Sequence, residues 1–263
     1  MIPDLSVSGN LWRWHKLEMA KRRLVYALNR LRLPLSAVPG ENRPALRFKF
    51  IADIPGGPPA PTGHLNGLIT INIVEADDPE RERRRVNLHE PYRTLLGHLR
   101  HEVAHYFWDR LIDRSRWLDR CRQLFGDDRM DYSAALKRHY NEGPPADWQQ
   151  NFISAYATMH PWEDWAETWA HYFHIIDLVE TATAFGLTIK PDPAEKPTVM
   201  PAAPPRREPG FEKLLEAWFP LTQVLNSLNR SMGMPDAYPF ALSDKAVEKL
   251  HFIHEVVMGS AEA

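Results

Sequence analysis

Gly97-His98-Leu99-Arg100-His101-Glu102-Val103-Ala104-His105-Tyr106 is the stretch on which the reading of this chain turns. His101 and His105 stand four residues apart. On a helix such positions share one face, with Cβ atoms roughly 5–6 Å apart. Two imidazoles so placed can reach one zinc ion at ~2.0–2.1 Å. Glu102 is rotated by ~100° from His101. It cannot chelate the same ion tightly, but it can reach a water on that ion and act as general base. The neighbours predict the helix this needs. Leu95, Leu96, Leu99, Val103, Tyr106, Phe107 and Leu111 form an apolar stripe from Pro91 to about Asp113. Pro91 suits the first helical position, where its missing N–H costs nothing. The competing reading is a pair of ordinary histidines, in the core or at the surface, with no metal.

Working outward, Asn10–Arg32 reads as an amphipathic helix, with Leu11, Trp14, Leu17, Leu24, Leu28 and Leu31 at helical spacing. Ala45–Ala52 and Gly67–Val74 alternate apolar and polar residues and read as strands. The second, rich in Ile, is the expected place for an extended substrate to add as a strand. Further helices are expected at Asp131–Tyr140, Asp147–Thr158, Pro161–Val179, Phe211–Arg230 and Ser243–Met258. Lys190–Gly210 carries seven prolines and no periodicity, so it reads as an extended loop. The expected fold class is therefore α+β, mostly helical with a small N-terminal sheet. The expected organisation is a catalytic domain over 1–189, a Pro-rich loop over 190–210, and C-terminal helices over 211–263 packed on the catalytic body.

Composition narrows the function classes. Hydrophobic residues make up 44% and charged residues 25%, and the formal net charge is −2. No global field recruits nucleic acid or an anionic membrane. The Arg81–Arg85 run reads first as a solvated loop, so a nucleic-acid partner is not expected. The one cysteine, Cys121, excludes an internal disulfide and a thiolate zinc cluster. No apolar run is long enough to cross a bilayer, and Met1–Asn10 shows no leader pattern. The expected location is the cytoplasm.

A catalytic zinc takes three protein ligands and keeps one open position. A longer motif with Gly and His at 108 and 111 is ruled out by Trp108 and Leu111. The downstream candidates for the third ligand are His139, His160, Glu163, Glu167, His171 and His174. Glu163 and Glu167 stand four apart on a predicted helix beside small Ala166 and Ala170, which permit close helix approach. One carboxylate could bind zinc while the other accepts from a ligand imidazole N–H. A solvated acidic face is the alternative. Asp109, four residues after His105, is a further candidate for orienting an imidazole, or else a surface ion-pair residue.

The stretch quoted above, together with Ser154-Ala155-Tyr156-Ala157 and His160-Pro161-Trp162-Glu163-Asp164-Trp165-Ala166-Glu167-Thr168-Trp169-Ala170-His171, resembles a zinc-binding metallopeptidase family. Leu225–Gly233 and Asp236–Phe240 resemble it too, so the likeness covers nearly the whole chain. It implies a zincin-like fold of the gluzincin type and zinc-dependent hydrolysis of a peptide or protein substrate. The Glu163–Glu167 pattern resembles the third-ligand helix of gluzincins. In lethal-factor-type members a Tyr lies seven residues before the ligand Glu, where this chain has Tyr156. The resemblance thus implies zinc on His101, His105 and Glu163, Glu102 as base, Glu167 as the outer carboxylate, and Tyr156 as donor to the oxyanion. A buried structural Tyr156 stays open beside that role. Many family members resemble a fusion with an N-terminal cysteine zinc ribbon, which a single cysteine cannot build. The alternative function is a zinc-binding interaction domain without turnover.

Overall fold

A computed structural model of the chain describes residues 2–37, 43–53, 56–57, 60, 62–78, 94–189 and 210–260. Pro91 itself, the Arg81–Arg85 run and nearly all of the Pro-rich loop lie outside the described residues, but the helix expected from Pro91 begins only at Leu95, after an extended Thr94. The chain divides into two compact units, residues 1–170 with 242–263, and residues 171–241. The described residues are mostly helical with one small sheet, so the α+β class holds. Among them no helix is long and apolar enough to cross a membrane.

The first unit opens with helix α1 (Asn10–Arg30), which buries Leu17, Leu24, Ala27 and Leu28. The sheet follows, with β1 (Arg47–Ile51), β2 (Gly63–Leu65) and β3 (Leu68–Asn72) in the order β1-β3-β2. β1 runs parallel to β3 and β2 antiparallel. Asn66-Gly67 forms the tight turn between β2 and β3, and both residues have positive φ, 48° and 74°. Two-residue hairpins of this hand favour that dipeptide. A Cβ on Gly67 would also stand 2.7 Å from the Ala45 carbonyl oxygen, so only glycine fits. The Ile-rich strand is thus central, paired on both flanks, and offers no free edge for an extended peptide. Among the described strands the outer ones are β1 and β2, and β2 abuts the histidine helix.

That helix, α2, spans Leu95–Phe107, with the Thr94 hydroxyl accepting from Gly97 N as N-cap. It continues as a π-helical turn over Trp108–Ile112. Next come α3 (Leu118–Phe125), ended by Gly126, and α4 (Tyr132–Glu142), capped by Asp131. The helix expected over Asp147–Thr158 does not form. The segment makes only two single 3-10 turns, Trp148–Gln150 and Tyr156–Thr158. Its polar groups have partners outside a helix: Lys249 Nζ donates to the Asn151 carbonyl, and Ser154 Oγ accepts from Ala157 N. Helix α5 (Pro161–Ala184) contributes Trp165 and Trp169, both fully buried, to the core of the first unit. Trp169 stacks on Phe107 at 5.0 Å.

Helix α7 (Asp244–Ser260) returns to the first unit and carries a buried cation. Lys249 Nζ lies 2.5 Å from Asp164 Oδ2, with side-chain exposures of 3% and 0%. Phe152 and Phe125 flank the ammonium at 4.4 and 5.6 Å. Burial drives Asp164 up to about 7 even with Lys249 beside it. Removing one partner of such a pair strands the other charge and costs about 3–5 kcal/mol. Lys249→Ala should therefore lower the thermal midpoint sharply in calorimetry, and Lys249→Met with Asp164→Leu should recover most of the loss. A wild-type midpoint for Lys249→Ala would show that the pair does not anchor α7.

The second unit holds α5 from His171 onward, α6 (Phe211–Ser231) and the segment that follows. The Asn226 side chain bonds both backbone groups of Tyr238, whose hydroxyl lies 2.6 Å from His171 Nδ1. Phe240 meets the same imidazole edge-on at 4.4 Å.

Candidate metal centre

The start of α5 and the middle of α2 build the site. Pro161 opens α5, and Glu163 falls in its first turn, where the helix dipole favours negative charge. His160 precedes it. Its Nδ1 accepts from Trp162 N and its Nε2–H donates to the Met130 carbonyl, which fixes the orientation of the ring. Trp165 Nε1–H donates to the Ala104 carbonyl at 2.9 Å, while Ala104 and Ala166 are fully buried. That bond pins α5 to α2 between the two motif histidines. It turns Glu163, 2% exposed, toward both of them.

The three side chains converge. His101 Nε2 lies 2.9 Å from Glu163 Oε2, and His105 Nε2 lies 3.5 Å from Glu163 Oε1. One donor atom from each residue falls within 4.8 Å of the other two. A tetrahedral sphere with bonds of ~2.0–2.1 Å places its ligand atoms about 3.3 Å apart, between those two contacts. On the far side of His101, Nδ1 meets Glu167 Oε1 at 2.7 Å, and Ser154 Oγ donates to Glu167 Oε2 at 2.7 Å. Such a chain orients an imidazole and raises its basicity. His105 Nδ1 is buried with no such partner among the described residues.

The electrostatics follow from this packing. Burial alone would lower His101, but Glu163 and Glu167 outweigh it and hold the imidazole well above its ordinary range. Burial would raise Glu163, yet His101 and the nearby His105 pull it down to about 2. Glu102 is buried at the next position round the helix. His98 Nε2 lies 3.2 Å from Glu102 Oε1, and His98 Nδ1 lies 3.7 Å from the buried Glu75. Burial opposes charge on His98, but the two carboxylates push it up to about 8. Burial likewise opposes charge on Glu102, and the histidines hold it below its usual value. At neutral pH Glu102 is thus an ionised acceptor steadied by a cationic imidazole.

A family model described as "Putative zinc-binding metallo-peptidase" matches residues 10–256. The chain belongs to that family. It is 44% identical over 256 residues to uncharacterized proteins of Mycobacterium tuberculosis (strain H37Rv) and Mycobacterium bovis, a match covering 97% of this chain and 72% of each relative. No solved structure matches.

In this member of the zinc-binding metallo-peptidase family the remaining candidates fall elsewhere. Asp109 reaches neither motif histidine. It sits in the π-helical turn, where wider spacing per turn rotates it off the His105 face, and its carboxylate lies 3.9 Å from His64 Nδ1. Burial and Asp113 raise Asp109 to about 6. His139 lies 3.4 Å from the Thr158 hydroxyl, His160 is spent on the α5 start, and His171 and His174 belong to the second unit. Tyr156 stands beside the site with its ring 6.0 Å from that of His101. Two contributors went unread in the sequence. Tyr132 donates its hydroxyl to Glu163 Oε1 at 3.1 Å, and nothing in its local pattern marks it. His64, on β2, accepts from Gly67 N, and burial then the His105 charge lower it to about 4. The Asn66-Gly67 turn was the available signal for that strand.

A metal held by His101 would displace the proton that Glu163 and Glu167 keep in place. Zinc uptake should therefore release protons and weaken as pH falls through neutrality. Calorimetric titration of the metal-free protein in buffers of different ionisation enthalpy measures this. Uptake with no proton release would contradict the arrangement.

Proposed function

We propose that this chain is a zinc-dependent peptidase in which His101, His105 and Glu163 hold the metal and Glu102 is the general base. The observation that carries the reading is the convergence of two imidazole nitrogens and one buried carboxylate from a second helix. This donor set is the one a catalytic zinc takes, three protein ligands with a position left over. Zinc bound there would lower the pKa of a water and polarise the scissile carbonyl. Glu102, ionised and held through one oxygen by His98, takes the water proton and passes it to the leaving amine. Glu167 and Ser154 keep the His101 ring in its orientation. Tyr156, marked by the resemblance as oxyanion donor, has its ring 6.0 Å from that of His101. A peptide or protein is the proposed substrate, and β2, paired with β3 alone among the described strands, is the proposed edge for an extended chain.

The test is an unbiased peptide mixture incubated with zinc-loaded protein and read by mass spectrometry. Cleavage that a chelator stops and zinc restores is expected. Full zinc occupancy with no cleavage of any peptide would favour a zinc-binding interaction domain instead.

A further inference from the structure

We propose that Tyr132, rather than Tyr156, is the phenol that donates to the developing oxyanion. This inference rests on the metal-site reading above and adds a donor from a helix outside the motif segments. Tyr132 is the phenol that touches the site. Its hydroxyl donates to Glu163 Oε1, the same carboxylate oxygen that lies 3.5 Å from His105 Nε2. The hydroxyl of Tyr156 makes no hydrogen bond to His101, His105 or Glu163. The Tyr156 ring instead lies among those of His101 and His139. Of the two phenols, Tyr132 is thus the one hydrogen-bonded to the ligand carboxylate.

Position and access support the same assignment. Tyr132 is the first residue of α4, whose N-cap Asp131 accepts from Ala134 N. Its ring packs on His160 at 5.3 Å, and His160 also binds the preceding Met130 carbonyl. The same imidazole caps the α5 turn that carries Glu163, so donor and ligand are placed by one residue. Tyr132 is 38% exposed and open to a substrate from solvent, whereas Tyr156 is more enclosed, its ring between those of His101 and His139. During hydrolysis Tyr132 would give a hydrogen bond and keep its proton. The water proton goes to Glu102 and then to the amine nitrogen.

Acetohydroxamate, whose oxygens occupy the open position of a zinc site, is the probe. Its affinity for zinc-loaded wild type, Tyr132→Phe, Tyr156→Phe and the double variant is measured by calorimetry, beside zinc affinity and thermal midpoint for each. A lost hydrogen bond to a charged group predicts about a 10–100-fold loss for Tyr132→Phe with zinc affinity nearly unchanged. Tyr156→Phe should lose less, and the double variant no more than Tyr132→Phe alone, since only Tyr132 donates to the bound oxygen. Wild-type affinity in Tyr132→Phe, or a larger loss in Tyr156→Phe, would overturn this assignment and leave the metal site standing. A wild-type protein that takes no zinc, or takes it without binding acetohydroxamate, would overturn the metal-site reading and this inference together.

Discussion

Glu102→Gln should retain zinc at the wild-type stoichiometry while lowering the rate of peptide cleavage by about 10²–10⁴-fold, the usual worth of a placed general base. The amide keeps the volume of the carboxylate and can still accept from His98 through its oxygen, so α2 has no reason to move. What it loses is the ability to take a proton. In the wild type, His98 and the two motif histidines hold Glu102 ionised against its burial. Metal analysis and cleavage rates on the same preparation check both halves of this expectation. Undiminished cleavage would show that the base is another residue, and a loss of zinc would show that Glu102 supports the site structurally.

The second large effect concerns Glu163. Glu163→Ala should weaken zinc binding by about 10³-fold or more, if the ~10–16 kcal/mol of a structural zinc site is a guide to what each ligand contributes. The substitution also leaves His101 Nε2 and the Tyr132 hydroxyl without their shared partner. Glu167→Ala should cost about 10–100-fold, the typical effect of removing a group that orients a ligand, since Glu167 meets His101 through Nδ1 and not through the nitrogen that faces Glu163. Competition with a chromophoric chelator ranks the two. The reverse order would exchange their roles.

Much of this site could be read from spacing alone, because helices convert sequence distance into a shared face. His101 with His105, and Glu163 with Glu167, are both i, i+4 pairs, and each helix formed over its apolar stripe, although α2 begins at Leu95, after the extended Thr94 cap, and not at the expected Pro91. Small Ala104 and Ala166 permit the close approach that joins them, and only Ala166 was read in that sense. What stayed hidden depends on partners distant in the chain. Asp109 keeps its i+4 spacing from His105, but the change to π-helical geometry at Trp108 removes the shared face. The Asp147–Thr158 segment has helix-compatible residues, yet Lys249 and Glu167 draw its polar groups outward. Tyr132 is 31 residues from Glu163, and no periodicity links them. Lys249 reads as one more solvated lysine until α7 is placed beside Asp164. Asn66-Gly67 was an available but unused signal for the β2–β3 hairpin, and β3 is central only because it also pairs in parallel with β1.

Diffraction at the zinc absorption edge from crystals of the zinc-loaded protein tests the central claim most directly. The expected result is a single anomalous peak between α2 and the start of α5, ~2.0–2.2 Å from one nitrogen each of His101 and His105 and from a Glu163 oxygen. A fully loaded protein whose zinc lies elsewhere, with these three side chains still bonded only to one another, would contradict it.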